Sequence, residues 1–130
     1  MPSVPNPFNE APVMTLTIYG LKNCDSCKLA LKEMGEAGLA PRFVDIRAEA
    51  DLMALVPVWV KLAGAEALLN TRSTTWRGLS IQNRQLAESE PAAVMIANPT
   101  LIKRPVIDRD GAILVGWAAA TRAAILGAAA

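Results

Sequence analysis

Cys24 and Cys27 are the only two cysteines of the chain, and Asp25 and Ser26 separate them. A thiolate is the nucleophile of disulfide exchange, so such a pair can attack with one thiol and release product with the other. The chain contains no histidine. This excludes Ser–His–Asp and Cys–His catalytic systems and leaves too few ligands for a structural zinc site. We therefore predict thiol redox chemistry without a bound metal.

The position of Cys24 predicts that its thiol is activated. It follows a β-rich run at residues 15–19 and precedes apolar residues at helical spacing, among them Leu29 and Met34. The unpaired N–H groups and the dipole at the start of a helix favour a thiolate. Lys22 and Arg104 are candidates for additional positive charge. Cys27 follows one turn later and is interpreted either as a resolving thiol or as a buried core residue.

Arg104 and Pro105 precede a second β-like run at residues 106–108. In thioredoxin-like folds a proline opens the strand that faces the active-site cysteine, and Pro105 lies where that proline would fall. Arg104 would then project toward the thiol of Cys24. A guanidinium there can bind an oxyanion or a carboxylate through two parallel hydrogen bonds. The alternative is an ordinary trans proline on an edge strand beside a surface arginine.

The remaining pattern predicts the elements that position these residues. Strands are expected near residues 15–19, 41–46, 106–108 and 113–115, with a hairpin turn at Asp110-Gly111. Four helices are expected: from Cys24 to about Gly38, from Leu55 to Gly64, from a Ser89 cap through residues 92–95, and over residues 118–126. Pro57 should lie in the first turn of the second helix or kink it. Residues 70–78 are expected to form a loop. Trp59, Trp76 and Trp117 are expected to pack. This order predicts an α/β, thioredoxin-like fold: a mixed four-stranded sheet with an inserted helical subdomain.

Length and composition indicate a single domain. We place it at residues 14–127, with the helical insertion at about 50–98, and interpret the proline-bearing residues 1–13 as a flexible leader or an alternative-start extension. The 13 basic and 12 acidic side chains are scattered, which does not favour direct nucleic-acid binding. Neither a signal peptide nor an apolar run long enough for a membrane is evident, so a cytoplasmic location is expected.

Three segments resemble the ArsC/Spx family, and in particular its YffB-like, arsenate reductase-related members. They are residues 17–28 (TIYGLKNCDSCK), residues 67–77 (ALLNTRSTTWR) and residues 101–105 (LIKRP). The resemblance implies a thioredoxin-like fold with a helical insertion, Cys24 as the nucleophile, Arg104 as an oxyanion-binding residue, and a cis peptide bond before Pro105.

The resemblance also implies a thiol-dependent, glutathione-linked reductase. Arsenate reductases of the family hold arsenate with further arginines. Here Asn70 takes one such place, Arg72 is a nearby substitute, and residues 114–117 contain no arginine, which favours a thiol substrate over arsenate. Glutathione is the expected co-substrate, and glutaredoxin or thioredoxin is a candidate electron donor. The predicted site comprises catalytic Cys24, Cys27 and Arg104, and substrate-binding Lys22, Asn23, Arg72 and Pro105.

The alternative function is that of an Spx-like regulator. Such a protein binds the α subunit of RNA polymerase and uses the CxxC pair as a redox switch. The TTWR segment at residues 74–77 favours the reductase branch. The presence of Cys27 does not, since members of that branch often keep only the first cysteine of the pair.

Overall fold

A mixed four-stranded sheet forms the centre of the protein. The computed structural model describes residues 15–127. The strands are β1 (Leu16–Gly20), β2 (Arg42–Asp45), β3 (Val106–Arg109) and β4 (Ala112–Val115), in the order β2-β1-β3-β4. β1 runs parallel to β2 and antiparallel to β3, and β3 is antiparallel to β4. The predicted α/β fold with a mixed four-stranded sheet is confirmed. The predicted leader lies outside the described residues.

Seven helices accompany the sheet within residues 15–127. They are α1 (Asp25–Glu36), α2 (Leu52–Ala63), α3 (Ala65–Leu68), α4 (Thr74–Gly78), α5 (Ile81–Ser89), α6 (Pro91–Ala97) and α7 (Ala119–Leu126), with a 3-10 turn at Pro99–Leu101. Helices α2 to α6 all lie between β2 and β3 in the chain. In this part of the chain, no helix has the length and apolar character needed to cross a membrane.

Each face of the sheet carries its own core. On one face, the helix-pair core packs around α1 and α7 and contains Leu16, Ile18, Ala30, Met34, Ile107, Trp117 and Ile125. On the other, the insertion core contains Val56, Trp59, Leu68, Ala87, Val94, Met95, Leu101, Ile102 and Val106. Val106 and Ile107 are neighbours in β3 but belong to different cores, because successive strand residues point to opposite faces. The sheet is therefore covered on both sides.

The buried face of α1 differs from the one expected. Leu29 was assigned to the apolar face, but 48% of it is exposed. The buried residues are Cys27, Ala30 and Met34, which follow each other by three and four positions and so share one face of the helix. Cys27, rather than Leu29, therefore defines the side of α1 that packs on the sheet.

Two expectations about the insertion are wrong because side-chain caps were missed. Residues 74–78 form α4 rather than a loop, since the Ser73 hydroxyl accepts a hydrogen bond from the Trp76 N–H at 3.1 Å. Ser89 does not cap a helix but ends α5, whose own cap is Ser80.

Pro57 lies deeper in its helix than the first turn. α2 already begins at Leu52, where the Asp51 carboxylate accepts from the Ala54 N–H at 3.3 Å. Pro57 is thus an interior residue and removes one helical hydrogen bond. The hairpin turn is confirmed, as Asp110 and Gly111 both have positive φ, 52° and 91°.

Candidate active site

Cys24 caps the N-terminus of α1 with extended dihedral angles, φ −91° and ψ 122°. Its thiol is half-buried. Burial would raise the pKa of Cys24, but the backbone N–H and the thiol of Cys27 and the guanidinium of Arg104 stabilise the anion, and the net pKa is lowered. Among the described residues, the start of α1 and Arg104 therefore supply the activation. Cys24 is suited to act as a thiolate nucleophile.

Arg104 is held on the opposite side of the site by backbone carbonyls. Its Nη1 donates to the carbonyl oxygens of Thr100 and Ile102 at 3.2 and 3.3 Å. Its Nε is buried and has no hydrogen-bond partner within residues 15–127. The peptide bond to the buried Pro105 is cis, as the family resemblance implies. The guanidinium thus acts on Cys24 from a position that backbone carbonyls fix.

Cys27 lies beneath Cys24 and is almost completely buried, with 1% of its surface exposed. Burial, followed by the hydrogen bond and charge of the neighbouring Cys24, raises the pKa of Cys27 to about 12. A Cβ atom on Gly20 would lie well inside 3.0 Å of the Cys27 sulfur, a separation that real Cβ atoms essentially never show. Glycine at the end of β1 therefore makes room for this thiol. Both cysteines are free, and Cys27 stays protonated at neutral pH.

Cys24 opens into a cleft of about 590 Å³, which we call the Cys24 cleft. Its lining contains three cations and no acidic residue: Cys24, Ser26, Asn70, Arg72, Lys103, Arg104, Gly116, Trp117 and Ala118. The cations come from two distant segments. A β-bridge between Leu69 and Ile102 joins them, with Asn70 N–H donating to Leu101 O and Lys103 N–H to Leu68 O, both at 2.7 Å. The cleft is therefore built to receive an anion beside a thiolate.

Of the four predicted substrate-binding residues, only Arg72 lines the Cys24 cleft, since Pro105 is buried and Lys22 and Asn23 lie elsewhere. Lys22 and Asn23 line a separate recess of about 440 Å³, the Lys22 recess, together with Leu21, Asp45, Arg47 and Ala48. The charge of Lys22 acts on Asp45. The pKa of Asp45 is lowered mainly by backbone N–H groups of Ala48 and Arg47, and also by Lys22. Lys22 was a candidate to activate Cys24, but its charge faces Asp45, and Arg104 alone of the two candidates acts on the thiol.

The structure adds three residues to the predicted site. Lys103 and Ser26 line the Cys24 cleft, and their positions next to Arg104 and Cys24 in the chain were the available signal. Trp117 packs as expected but also forms part of the cleft wall. Its indole Nε1 donates to Glu33 Oε1 at 2.9 Å, and Glu33 is also paired with Arg122 at 2.5 Å. Nothing in the local pattern around Trp117 indicates this contact.

The arrangement does not resemble a metal centre. Within the described residues, no three side chains of His, Cys, Asp or Glu are grouped so as to hold a metal ion. A thiolate, a guanidinium and two further cations instead suit attack on sulfur or on an oxyanion.

Comparison with known proteins gives consistent matches. The sequence model of the ArsC family matches residues 19–125. An uncharacterized protein from Haemophilus influenzae is 40% identical over 104 residues, which cover 78% of this chain and 90% of the relative. The solved structure of a YffB protein has a TM-score of 0.76 at 33% identity, covering 86% of this chain and 99% of that one. An arsenate reductase (ArsC) related protein from Brucella melitensis has a TM-score of 0.71 at 34% identity, covering 88% and 97%.

Proposed function

This chain belongs to the ArsC family, and we propose that it is a thiol-dependent oxidoreductase with Cys24 as nucleophile and glutathione as co-substrate. One observation carries the proposal: the Cys24 thiol lies at the N-terminus of α1, beside Arg104, and opens into a cationic cleft. A relative is described as an arsenate reductase (ArsC) related protein, which supports redox chemistry of this kind.

In the first step, the Cys24 thiolate attacks one sulfur of a disulfide substrate. A Cys24–sulfur bond forms, the substrate S–S bond breaks, and its electron pair leaves with the departing thiolate. Arg104 stabilises the thiolate before attack, and its guanidinium lines the cleft in which negative charge develops on the departing sulfur. The products are a mixed disulfide on Cys24 and a free thiol.

In the second step, a thiolate attacks the substrate-derived sulfur of the mixed disulfide. A new disulfide forms with that sulfur, the bond to Cys24 breaks, and Cys24 leaves as a thiolate for another cycle. A glutathione thiolate entering the cleft fits this role better than Cys27, which is buried and protonated at neutral pH. Glutaredoxin or thioredoxin would supply the same thiolate from a protein donor. We assign Cys27 the role of a hydrogen-bond donor to the resting Cys24 thiolate.

The proposal favours a thiol or glutathione adduct over arsenate. Residues 114–117 carry no arginine, so the cleft wall formed by Gly116 and Trp117 offers no guanidinium to a tetrahedral oxyanion. The cations of the cleft come from the two bridged segments.

A substrate panel tests this function. Reduced protein is assayed with arsenate, with mixed glutathione disulfides and with dithiol substrates, each with glutathione, glutaredoxin or thioredoxin as donor. We expect turnover of a glutathione mixed disulfide and its complete loss in Cys24→Ser. A Cys24→Ser variant with full activity, or a Cys24 thiol that titrates at or above the range of free cysteine, contradicts the proposal.

A redox regulator that binds the RNA polymerase α subunit is the second candidate. The second cysteine favours it, since Cys27 lies against Cys24 and both thiols are free, as a redox switch requires. A pull-down with the α subunit, using oxidised and reduced protein, separates the two candidates. Absence of binding in both redox states rejects the regulator.

A further inference from the structure

The Cys24 cleft contains three cationic side chains, and only one of them, Arg104, acts on the Cys24 thiol. Arg104 acts on Cys24 and is held by two carbonyl oxygens. Arg72 and Lys103 line the same cleft, and both side chains are exposed to solvent. Within residues 15–127 the only ion pair joins Arg122 to Glu33. The charges of Arg72 and Lys103 are therefore not neutralised by any described carboxylate.

Backbone contacts fix the two chain positions from which these side chains extend, and they leave both charged groups without a partner among the described residues. Asn70 Oδ1 accepts the Arg72 N–H at 3.1 Å, which shapes the turn before α4. The Leu69–Ile102 bridge ties that turn to the segment that carries Lys103. The Asn70 side chain, whose oxygen is thus occupied, also lines the cleft. The arrangement presents one amide, one guanidinium and one ammonium group to the same open space.

We infer that Asn70, Arg72 and Lys103 form an outer anion site that binds a carboxylate of the substrate at a distance from its reacting sulfur. The inference rests on the proposed function, because it assumes that the sulfur is attacked by Cys24. It names the substrate class: a disulfide or thiol adduct that carries a carboxylate some bonds away from the sulfur. Arg72 and Lys103 then determine specificity, whereas Cys24 and Arg104 carry out the exchange.

The test compares three disulfides that differ in charge remote from the sulfur. Glutathione disulfide carries carboxylates, bis(2-hydroxyethyl) disulfide is neutral, and cystamine carries ammonium groups. The rate of adduct formation on Cys24 is followed by intact-protein mass spectrometry for the wild type and for Arg72→Gln/Lys103→Gln. The matched control is Arg77→Gln/Lys61→Gln, which removes the same charges from exposed positions outside the cleft.

We expect the cleft variant to react about threefold to tenfold more slowly with glutathione disulfide, as for the loss of exposed charge-assisted contacts. Its rate with the neutral disulfide should stay within about twofold, and its rate with cystamine should rise, since repulsion is removed. The control should leave the order of the three disulfides unchanged.

Other outcomes overturn the inference in distinguishable ways. Equal slowing with all three disulfides assigns Arg72 and Lys103 to activation of Cys24 instead. No slowing with glutathione disulfide shows that the outer site does not bind its carboxylates, although the proposed function stands. If wild-type Cys24 forms an adduct with none of the disulfides, the proposed function fails and the inference fails with it.

Discussion

The Cys24 cleft and the Lys22 recess lie on two sides of the same short loop, and both are lined by basic residues. Their volumes are about 590 and 440 Å³. In the recess, Lys22 and Arg47 lie beside the carboxylate of Asp45 and lower its pKa, after the larger effect of backbone N–H groups. The cleft has no acidic lining residue, and the thiol of Cys24 lies at its edge. Free positive charge, rather than the number of basic residues, distinguishes the candidate active site.

The two basic residues considered for activation of Cys24 differ in their distance along the chain and in their distance in space. Lys22 precedes Cys24 by two residues and faces away from it, whereas Arg104 lies eighty residues later and acts on its sulfur. Cys24 has an extended backbone and the next residue begins α1, so the conformation of the chain changes from extended to helical at the cysteine. Lys22 and Asn23, which precede this point, line the Lys22 recess, whereas Cys24 and Ser26 line the Cys24 cleft.

The largest effect is expected at Gly20, which ends β1 directly beneath the loop. Gly20→Ala places a Cβ against the Cys27 sulfur and should cost about 1–3 kcal/mol of unfolding free energy, as overpacking does. Denaturant unfolding measures this cost. In a Cys27→Ala background the sulfur is absent, and the same substitution should cost much less. Equal costs in both backgrounds would show that the sulfur is not what excludes a side chain.

Next in size is the effect of Arg104 on the cleft side. Arg104→Gln removes the cation that helps to lower the pKa of Cys24, so the pH profile of iodoacetamide alkylation should move to higher pH. At neutral pH the rate should fall about tenfold, equivalent to a charge-assisted hydrogen bond of about 1.4 kcal/mol. Arg104→Lys keeps the charge and should recover part of the rate. A profile that does not move would remove Arg104 from the activation of Cys24.

A smaller effect is expected from Cys27. The thiol and the backbone N–H of Cys27 both stabilise the Cys24 thiolate. Cys27→Ala removes the thiol and should therefore raise the pKa of Cys24. Cys27→Ser keeps a hydrogen-bond donor and should raise that pKa less. Both variants should still turn over with glutathione, because the incoming thiolate resolves the mixed disulfide. Loss of turnover in both, with normal adduct formation on Cys24, would identify Cys27 as the resolving thiol.

The smallest effect is expected on the recess side. Lys22→Gln should change the alkylation rate of Cys24 by less than about twofold, because this exposed charge faces Asp45 and is screened by solvent. The same pH profile measures it. A decrease as large as that in Arg104→Gln would mean that the two sides of the loop share one electrostatic site.

Local patterns were sufficient for several elements and for the central residue of the site. The Asp110-Gly111 pair predicts its hairpin because both positions need positive φ. Cys24 is placed at a helix start by the strand before it and the apolar spacing after it. The helix formed by residues 74–78 was missed, because Thr74 and Thr75 are weak helix formers and the Ser73 cap decides the conformation.

The amino-acid sequence by itself determined the α/β order of elements, the cysteine pair, and the placement of Cys24 at a helix N-terminus, because these depend on residues close together in the chain. The sequence offered both Lys22 and Arg104 as cations for the thiol, and only the tertiary structure decided between them. The Leu69–Ile102 bridge joins the segment of Arg72 to that of Lys103 and Arg104, whereas Lys22 lines a separate recess beside Asp45. Electrostatic interaction depends on distance in space, and that distance follows from packing rather than from spacing along the chain.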